Sequence, residues 1–202
     1  MNEPAPEAEP TFVGRGGLKL HHALQTFSID PTGLCCADFG CNLGGFTDCL
    51  LKAGASSVYA VDTGYGILDY RLRIDDRVVV MERTNAMHAD APAQKADLIA
   101  IDMGWTPQKY CIPAALRWLT DGGRIISLIK PHYERSHGQR GKQQIVLTDD
   151  EAHATMEEAL DAMPALGAAV IDVTKSPILG GKTRGNKKGN VEYLALLERV
   201  AT

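Results

Sequence analysis

Long apolar runs are missing from this chain, and its first residues lack the basic and apolar stretches of a signal peptide. We therefore expect a soluble, cytoplasmic protein without membrane contact. The segment before residue 12 is instead rich in proline, glutamate and alanine, a composition typical of disorder. We predict a disordered leader over residues 1–11 and a single domain over 12–202, which is long enough to bury a substantial core.

Zinc-type cysteine spacing is also absent. The five cysteines form no C-x-x-C pair, and their odd number does not suit complete disulfide pairing. We expect reduced thiols and no metal site.

An overall excess of positive charge is lacking, since the formal net charge is −4. This value argues against a surface that is basic throughout, but the charges are unevenly distributed. Many cationic residues fall in the last third of the chain, and these are Arg135, Arg140, Lys142, Lys175, Lys182, Arg184, Lys187 and Lys188.

What the sequence does contain is a regular alternation of short apolar segments and helix-compatible segments. The predicted strands are 34–38, 57–62, 78–81, 96–102, 123–129, 168–174 and 191–197, and the predicted helices are 46–53, 66–73, 112–119 and 148–166. This alternation indicates an α/β fold, with a mostly parallel sheet covered by helices on both faces. The last two strands have no helix between them, so one of them is predicted to be antiparallel.

A glycine-rich turn follows the first predicted strand, from Asp38 to Gly45. In a doubly wound sheet this position faces the ligand, and Gly40 and Gly44 would let the backbone approach it closely. The helix that begins near Phe46 would offer N–H groups to a carboxylate. A plain strand-to-helix turn is the alternative, and the dehydrogenase spacing G-x-G-x-x-G is absent.

Asp62 ends the second predicted strand, where a carboxylate commonly accepts hydrogen bonds from ribose hydroxyls. Because Thr63 and Gly64 follow it, a role as a helix cap or turn former is the alternative. Together the turn and this acid predict a nucleoside site.

Six ordered stretches between about residues 13 and 197 resemble the FtsJ-like ribose 2′-O-methyltransferases, and among them the TlyA (hemolysin A) branch. The stretches are Arg15-Gly-Gly-Leu-Lys-Leu20, Gly44-Gly-Phe-Thr-Asp-Cys-Leu50, Val58-Tyr-Ala-Val-Asp-Thr-Gly-Tyr-Gly66, Glu82-Arg-Thr-Asn-Ala86, Leu128-Ile-Lys-Pro131 and Gly189-Asn-Val-Glu-Tyr193. The resemblance implies a Rossmann-like fold that uses S-adenosylmethionine, with a seven-stranded, mostly parallel sheet and one antiparallel strand near the C-terminus.

The resemblance also implies a catalytic tetrad of Lys19, Asp102, Lys130 and Glu192. A free lysine titrates near ~10.4, so Lys130 could act as a base only if burial or a nearby cation, Lys19, lowered its pKa. Asp102 would lie near the transferred methyl group and hold the lysine, and Glu192 would orient a lysine or the substrate hydroxyl. Taken singly, each of these residues is more often a solvated side chain or a turn cap than a catalytic group. However, Lys130 follows an apolar strand and Glu192 interrupts one.

Cofactor contacts are implied in the same way. The resemblance places Gly40 and Gly44 at the methionine end, Asp62 at the ribose and Asn85 near the adenine. The complete predicted set is Asp38, Gly40, Asn42, Gly44, Gly45, Phe46, Asp62, Asn85 and Asp102.

The sequence gives less direct evidence for RNA contacts than for cofactor contacts. The TlyA branch carries an S4-like RNA-binding module ahead of its catalytic domain, where this chain has a short acidic leader, so a separate RNA-binding partner is conceivable. The basic loop 180–189 could neutralise phosphates, or it could be a solvated loop. The predicted RNA-binding residues are Arg15, Lys182, Arg184, Lys187 and Lys188. Trp105 and Tyr133, predicted to lie in loops, could stack on an unpaired base, although partial burial is the favoured interpretation.

Three functions are open at this point. The favoured one is S-adenosylmethionine-dependent 2′-O-methylation of RNA, with ribosomal RNA as the expected substrate. A catalytically silent protein that binds cofactor and RNA during ribosome assembly is the alternative. Membrane lysis, suggested by the hemolysin name, lacks the strongly amphipathic basic helix it would need.

Overall fold

The computed structural model describes residues 11–136, 147–181 and 189–200. The predicted leader lies outside these residues except for Thr11. Four of the predicted RNA-binding residues also lie outside them, and these are Lys182, Arg184, Lys187 and Lys188.

Seven strands form one sheet in the order β3-β2-β1-β4-β5-β7-β6. The strands are β1 (Cys35–Phe39), β2 (Ser57–Val61), β3 (Val78–Met81), β4 (Ala96–Ile101), β5 (Leu119–Ile129), β6 (Ala168–Lys175) and β7 (Tyr193–Arg199). Strands β1 to β5 pair in parallel, whereas β7 is antiparallel to both β5 and β6. The predicted sheet, with one antiparallel strand near the C-terminus, is confirmed.

The helices are α1 (Gly16–Thr26), α2 (Gly45–Lys52), α3 (Tyr70–Arg73), α4 (Gln108–Trp118), α5 (Pro131–Ser136) and α6 (Asp149–Asp161), and a 3₁₀ turn covers Pro164–Leu166. Thr148 and Glu151 form the expected capping box at the start of α6. The predicted helix 66–73 is wrong in extent, because only its last four residues are helical. The helix predicted over 148–166 likewise ends at Asp161.

Helices α1 and α5 were not predicted. α1 buries Leu20, Ala23 and Leu24, a spacing typical of an amphipathic helix, but two glycines at its start hide the pattern. α5 begins at Pro131, where a loop was expected, and proline suits the first turn of a helix. Glu192 does not interrupt a strand as predicted, because β7 begins one residue later.

The sheet is buried on both faces, as expected for parallel strands covered by helices. On one face Trp118 packs edge-on against Phe39, with ring centroids 5.0 Å apart. On the other face Leu20 of α1 and Leu50 of α2 cover Val58 of β2. No helix within the described ranges combines the length and apolarity that crossing a membrane requires.

This packing sets the position of the site. The carboxyl ends of β1, β2, β4 and β5 meet at one edge, and residues that directly follow these strands lie along it. The five cysteines are free, buried thiols, and one of them, Cys41, lies in the turn after β1 at this edge.

Candidate active site

Two adjoining cavities open at the carboxyl edge of the sheet. The first, of about 240 Å³, is lined by residues that follow β2, β3 and β4, including Asp62, Asn85 and Trp105. The second, of about 470 Å³, is lined by the segment before α1, the turn after β1, and Lys130. The two cavities share four residues, which are Gly40, Asn42, Asp102 and Gly104. They therefore form one continuous trough across the strand ends.

Asp62 and Asn85 both lie in the first cavity. The Asp62 carboxylate accepts hydrogen bonds from the Asn42 amide at 2.9 Å and the Gly64 amide at 2.7 Å. It therefore also acts as the turn former that the sequence allowed. Asn85 accepts a hydrogen bond from the Met87 amide at 3.0 Å. Both side chains are held in place by backbone groups while they line the cavity.

Asp38 is fully buried at the wall of the second cavity. Its Oδ2 accepts hydrogen bonds from the Thr47 amide at 2.9 Å and the Thr47 hydroxyl at 2.7 Å. Its Oδ1 is buried and has no hydrogen-bond partner among the described residues. Burial raises the pKa of Asp38 to about 7; the charges of Asp102 and Asp62 add to this, and the Thr47 hydrogen bonds oppose it. An orphaned carboxylate oxygen at a cavity wall suits a ligand that brings a positively charged donor.

The glycines of the turn serve different purposes. Gly40 has φ +88°, and a Cβ there would lie 2.6 Å from the backbone oxygen of Asp102, so only glycine fits this contact. Gly45 and Phe46 line the second cavity as predicted. Gly44 lines neither cavity, and a Cβ there would lie 2.3 Å from a Leu72 methyl group. Gly44 therefore lets α3 pack closely, and its contact with the cofactor stays a prediction.

The four predicted tetrad residues form two ion pairs. Lys19 Nζ lies 2.6 Å from Glu192 Oε2, and Lys130 pairs with Asp102 Oδ1. Asp102 follows β4 and Lys130 follows β5, and both line the second cavity. Lys19 and Glu192 lie behind them and are almost completely buried. The structure thus brings all four together, with one pair exposed to the cavity and the other supporting it.

The electrostatics of Lys130 differ from the prediction. Burial lowers the pKa of Lys130, but the Asp102 charge and hydrogen bond, together with the Glu192 charge, outweigh it and raise the pKa overall. The positive charge of Lys19 is paired with Glu192. The expected lowering of the Lys130 pKa by Lys19 is therefore wrong for the protein on its own, and Lys130 is a cation.

His132 adjoins this cluster without lining either cavity. It is buried, and burial lowers its pKa to about 4, helped by the charges of Lys130 and Lys19. The imidazole is thus neutral at physiological pH.

Two aromatic residues lie near the mouth of the trough. Trp105 is 76% exposed, and its ring lies 5.0 Å from that of Tyr133, centroid to centroid. Tyr133 is half-buried in α5, where a loop had been predicted. The favoured interpretation of partial burial is right for Tyr133 and wrong for Trp105.

Arg15 lies at the wall of the second cavity, and its guanidinium donates to the Leu179 carbonyl at 3.0 Å. This bond ties the start of α1 to the segment that leads towards the basic loop. Sequence reasoning missed the neighbouring Gly14 and Gly16, which also line this cavity. Gly16 belongs to the stretch from Arg15 to Leu20 that carried the resemblance, but no contact was predicted for it.

Several known proteins are similar to this chain in sequence or in structure. The YqxC protein of Bacillus subtilis (strain 168) is 37% identical over 91% of this chain, and the match spans 64% of that protein's length. The TlyA protein of Mycobacterium tuberculosis (strain H37Rv) is 35% identical over 95% of this chain and 70% of its own length. A Streptococcus thermophilus protein of known structure is 33% identical, with a TM-score of 0.86 over 97% of this chain and 70% of that one.

The chain therefore spans just under two thirds of the Bacillus relative and somewhat more of the other two. Residues 12–198 match the family described as FtsJ-like methyltransferase, and this range covers both cavities and all of the sheet except the last residue of β7. The chain belongs to the FtsJ-like methyltransferase family, whose methyl donor is S-adenosylmethionine.

Proposed function

We propose that this protein transfers the methyl group of S-adenosylmethionine to a ribose 2′-hydroxyl of ribosomal RNA. The observation that carries the proposal is the Lys130–Asp102 pair, which lines the same cavity as the orphaned Asp38 carboxylate. The Mycobacterium relative bears the name 16S/23S rRNA (cytidine-2′-O)-methyltransferase, which supports an RNA ribose as the acceptor. In this proposal residues 12–202 form one methyltransferase domain that acts in the cytoplasm.

The residues of the trough fit the cofactor. Asp38 Oδ1 is an acceptor without a partner in the described part of the chain, and it would accept a hydrogen bond from the amino group of the methionine end. Asp62 would accept from the ribose hydroxyls, and Asn85 would lie by the adenine, since both line the first cavity. The first turn of α2, at Gly45 and Phe46, would face the carboxylate. Asp102 and Gly40 line both cavities, and the methionine and adenosine halves would meet beside them.

Positioning is the first contribution of the tetrad. Lys130 would donate a hydrogen bond to the ribose hydroxyl oxygen and fix its direction of attack, and Asp102 holds the ammonium by an ion pair. Lys19 and Glu192, paired behind them, limit the movement of Lys130 through the Glu192 charge. Oriented attack can supply a large part of the barrier reduction.

Removal of the hydroxyl proton is the second contribution. Bound S-adenosylmethionine supplies the methyl group and brings a further positive charge into the trough. A positive charge near an amine lowers the pKa of that amine, so a larger fraction of Lys130 would be neutral, and able to accept the hydroxyl proton, once the site is filled. This condition replaces the role first given to Lys19.

A direct assay tests the function. The protein is incubated with radiolabelled S-adenosylmethionine and either intact ribosomal subunits or protein-free rRNA, and 2′-O-methyl marks are then mapped. We expect one strong mark that disappears in a Lys130 variant. Cofactor binding without transfer to any RNA would favour the alternative, a silent cofactor- and RNA-binding protein in ribosome assembly.

The pKa of Asp38 predicts how cofactor affinity depends on pH. Asp38 is largely protonated below about 7, and a protonated carboxyl cannot pair with the cofactor's ammonium group. Affinity for S-adenosylmethionine is therefore expected to fall about tenfold for each pH unit below that value. Titration calorimetry between about pH 5.5 and 8, a range that brackets the pKa of Asp38, measures how steeply the affinity for S-adenosylmethionine changes with pH.

The isosteric variant Asp38→Asn provides the comparison. Asp38→Asn should bind S-adenosylmethionine more weakly at pH 8 and lose the pH dependence of the affinity. Asp62→Asn should also bind it more weakly but keep the pH dependence, because Asp38 remains. A wild-type affinity that is independent of pH over this range would contradict the assignment of Asp38.

A further inference from the structure

A rigid lip extends beyond the first cavity. It consists of residues 63–66, after β2, and 82–84, after β3, and we call it the lip. Hydrogen bonds join its two segments: the Arg83 amide donates to the Gly64 carbonyl at 3.0 Å, and the Gly66 amide donates to the Glu82 carboxylate at 2.7 Å. The Thr84 amide donates to the Asp62 carbonyl at 2.9 Å and so fastens the lip to the cavity.

Tyr65 and Arg83 are stacked on top of this lip. The Arg83 guanidinium carbon lies 4.2 Å from the centroid of the Tyr65 ring. Tyr65 is 68% exposed and Arg83 is also exposed, so neither contributes to the core. Arg83 has φ +51°, a left-handed conformation that costs a non-glycine residue free energy and recurs at functional sites.

The arginines near Arg83 in the sequence differ from it in the partner of their charge. Arg71, Arg73 and Arg77 each form an ion pair with a nearby carboxylate. Arg83 forms no ion pair within the described ranges, and its charge lies against an aromatic face instead. The structure of the lip therefore does not account for this charge, and an external anionic group is a suitable partner for it.

The pair has the chemistry of a nucleotide subsite. A planar guanidinium stacked on a tyrosine leaves its outer face for a base and its N–H edge for a phosphate. Thr63 and Thr84 of the lip line the first cavity, so the lip forms part of the wall of that cavity. We propose that Tyr65 and Arg83 bind an unpaired nucleotide of the RNA substrate, outside the nucleotide that is methylated. This inference rests on the proposed function for the identity of the polymer.

A subsite that binds a base by stacking would tolerate many RNA sequences. Every base has a π-face, and stacking on an aromatic or guanidinium plane does not depend on the pattern of base edges. The lip is therefore expected to favour single-stranded RNA over duplex RNA and to contribute affinity without selecting a particular base.

The test measures RNA binding separately from turnover. Fluorescence anisotropy with a labelled single-stranded rRNA fragment is applied to the wild type, Tyr65→Ala, Arg83→Ala and Tyr65→Phe. We expect each alanine variant to bind about tenfold more weakly, and Tyr65→Phe to bind like the wild type because the stack is kept. Tyr70→Ala is the matched control, since Tyr70 is similarly exposed but does not belong to the lip.

Two further readouts separate the possible outcomes. S-adenosylmethionine affinity should be unchanged in all variants; a parallel loss would assign the lip to the cofactor site and overturn the inference. Equal RNA affinity in the wild type and both alanine variants would also overturn it, even if the wild type methylates RNA. Weaker RNA binding by the variants of a protein that never transfers a methyl group would uphold the lip and refute the proposed function. A wild type that binds no RNA would overturn both.

Discussion

Lys130→Ala is expected to slow methyl transfer by about 10²–10⁴-fold, the range usual for loss of a positioned proton-transfer group. The variant removes the ammonium that we propose to orient the acceptor oxygen, and this ammonium belongs to the tetrad lysine that lines the second cavity. Asp102→Ala is expected to have an effect of the same order, because Lys130 loses its direct ionic partner. Single-turnover rates with saturating cofactor and RNA measure both effects.

The fold of these variants is checked by circular dichroism and by cofactor affinity, which Lys130→Ala should leave nearly unchanged. Lys109→Ala is the control, because Lys109 is an exposed lysine that stacks on Tyr110 near the same edge of the sheet. Turnover close to the wild-type rate in Lys130→Ala would refute the assignment of this residue.

Lys19→Met should affect stability most strongly. Lys19 and Glu192 form a buried ion pair that connects α1 to the segment before β7. Removal of one partner leaves the other charge buried and uncompensated, which costs about 3–5 kcal/mol of unfolding free energy. Urea denaturation followed by tryptophan fluorescence measures the loss.

The double variant Lys19→Met/Glu192→Gln distinguishes a lost pair from lost packing. It should recover a large part of the stability, because no isolated charge remains in the interior. Its methyl-transfer rate should nevertheless be below that of the wild type, because the Glu192 charge no longer limits the movement of Lys130. This account would be contradicted if the double variant lost as much unfolding free energy as Lys19→Met and Glu192→Gln lose together.

The sequence predicted much of the fold because its signals were local. Each short apolar run ended near a polar residue or a glycine, and those ends became the edge that holds Asp38, Asp62 and Asp102. The start of α1 escaped notice because helix propensity is low at Gly16 and Gly17, although contacts with α2 make the helix stable.

The electrostatics could not be predicted in the same way, since they depend on which charges meet across long sequence separations. Lys19 and Lys130 were expected to repel each other, whereas each has its own carboxylate in the structure. The Glu192 side chain also needs a glycine at position 180, because a Cβ on Gly180 would lie 2.4 Å from Glu192 Oε1. Patterns of residue types do not encode such pairings.

The reversed direction of β7 has a consequence for the chemistry. Ile129, the last residue of β5, pairs with Tyr193, the first residue of β7, so the residues just beyond them, Lys130 and Glu192, meet at one edge. A parallel seventh strand would start at the far edge, about seven residues or roughly 23 Å away. Strand direction, usually treated as a marker of fold class, here determines whether the fourth tetrad residue can reach the others at all.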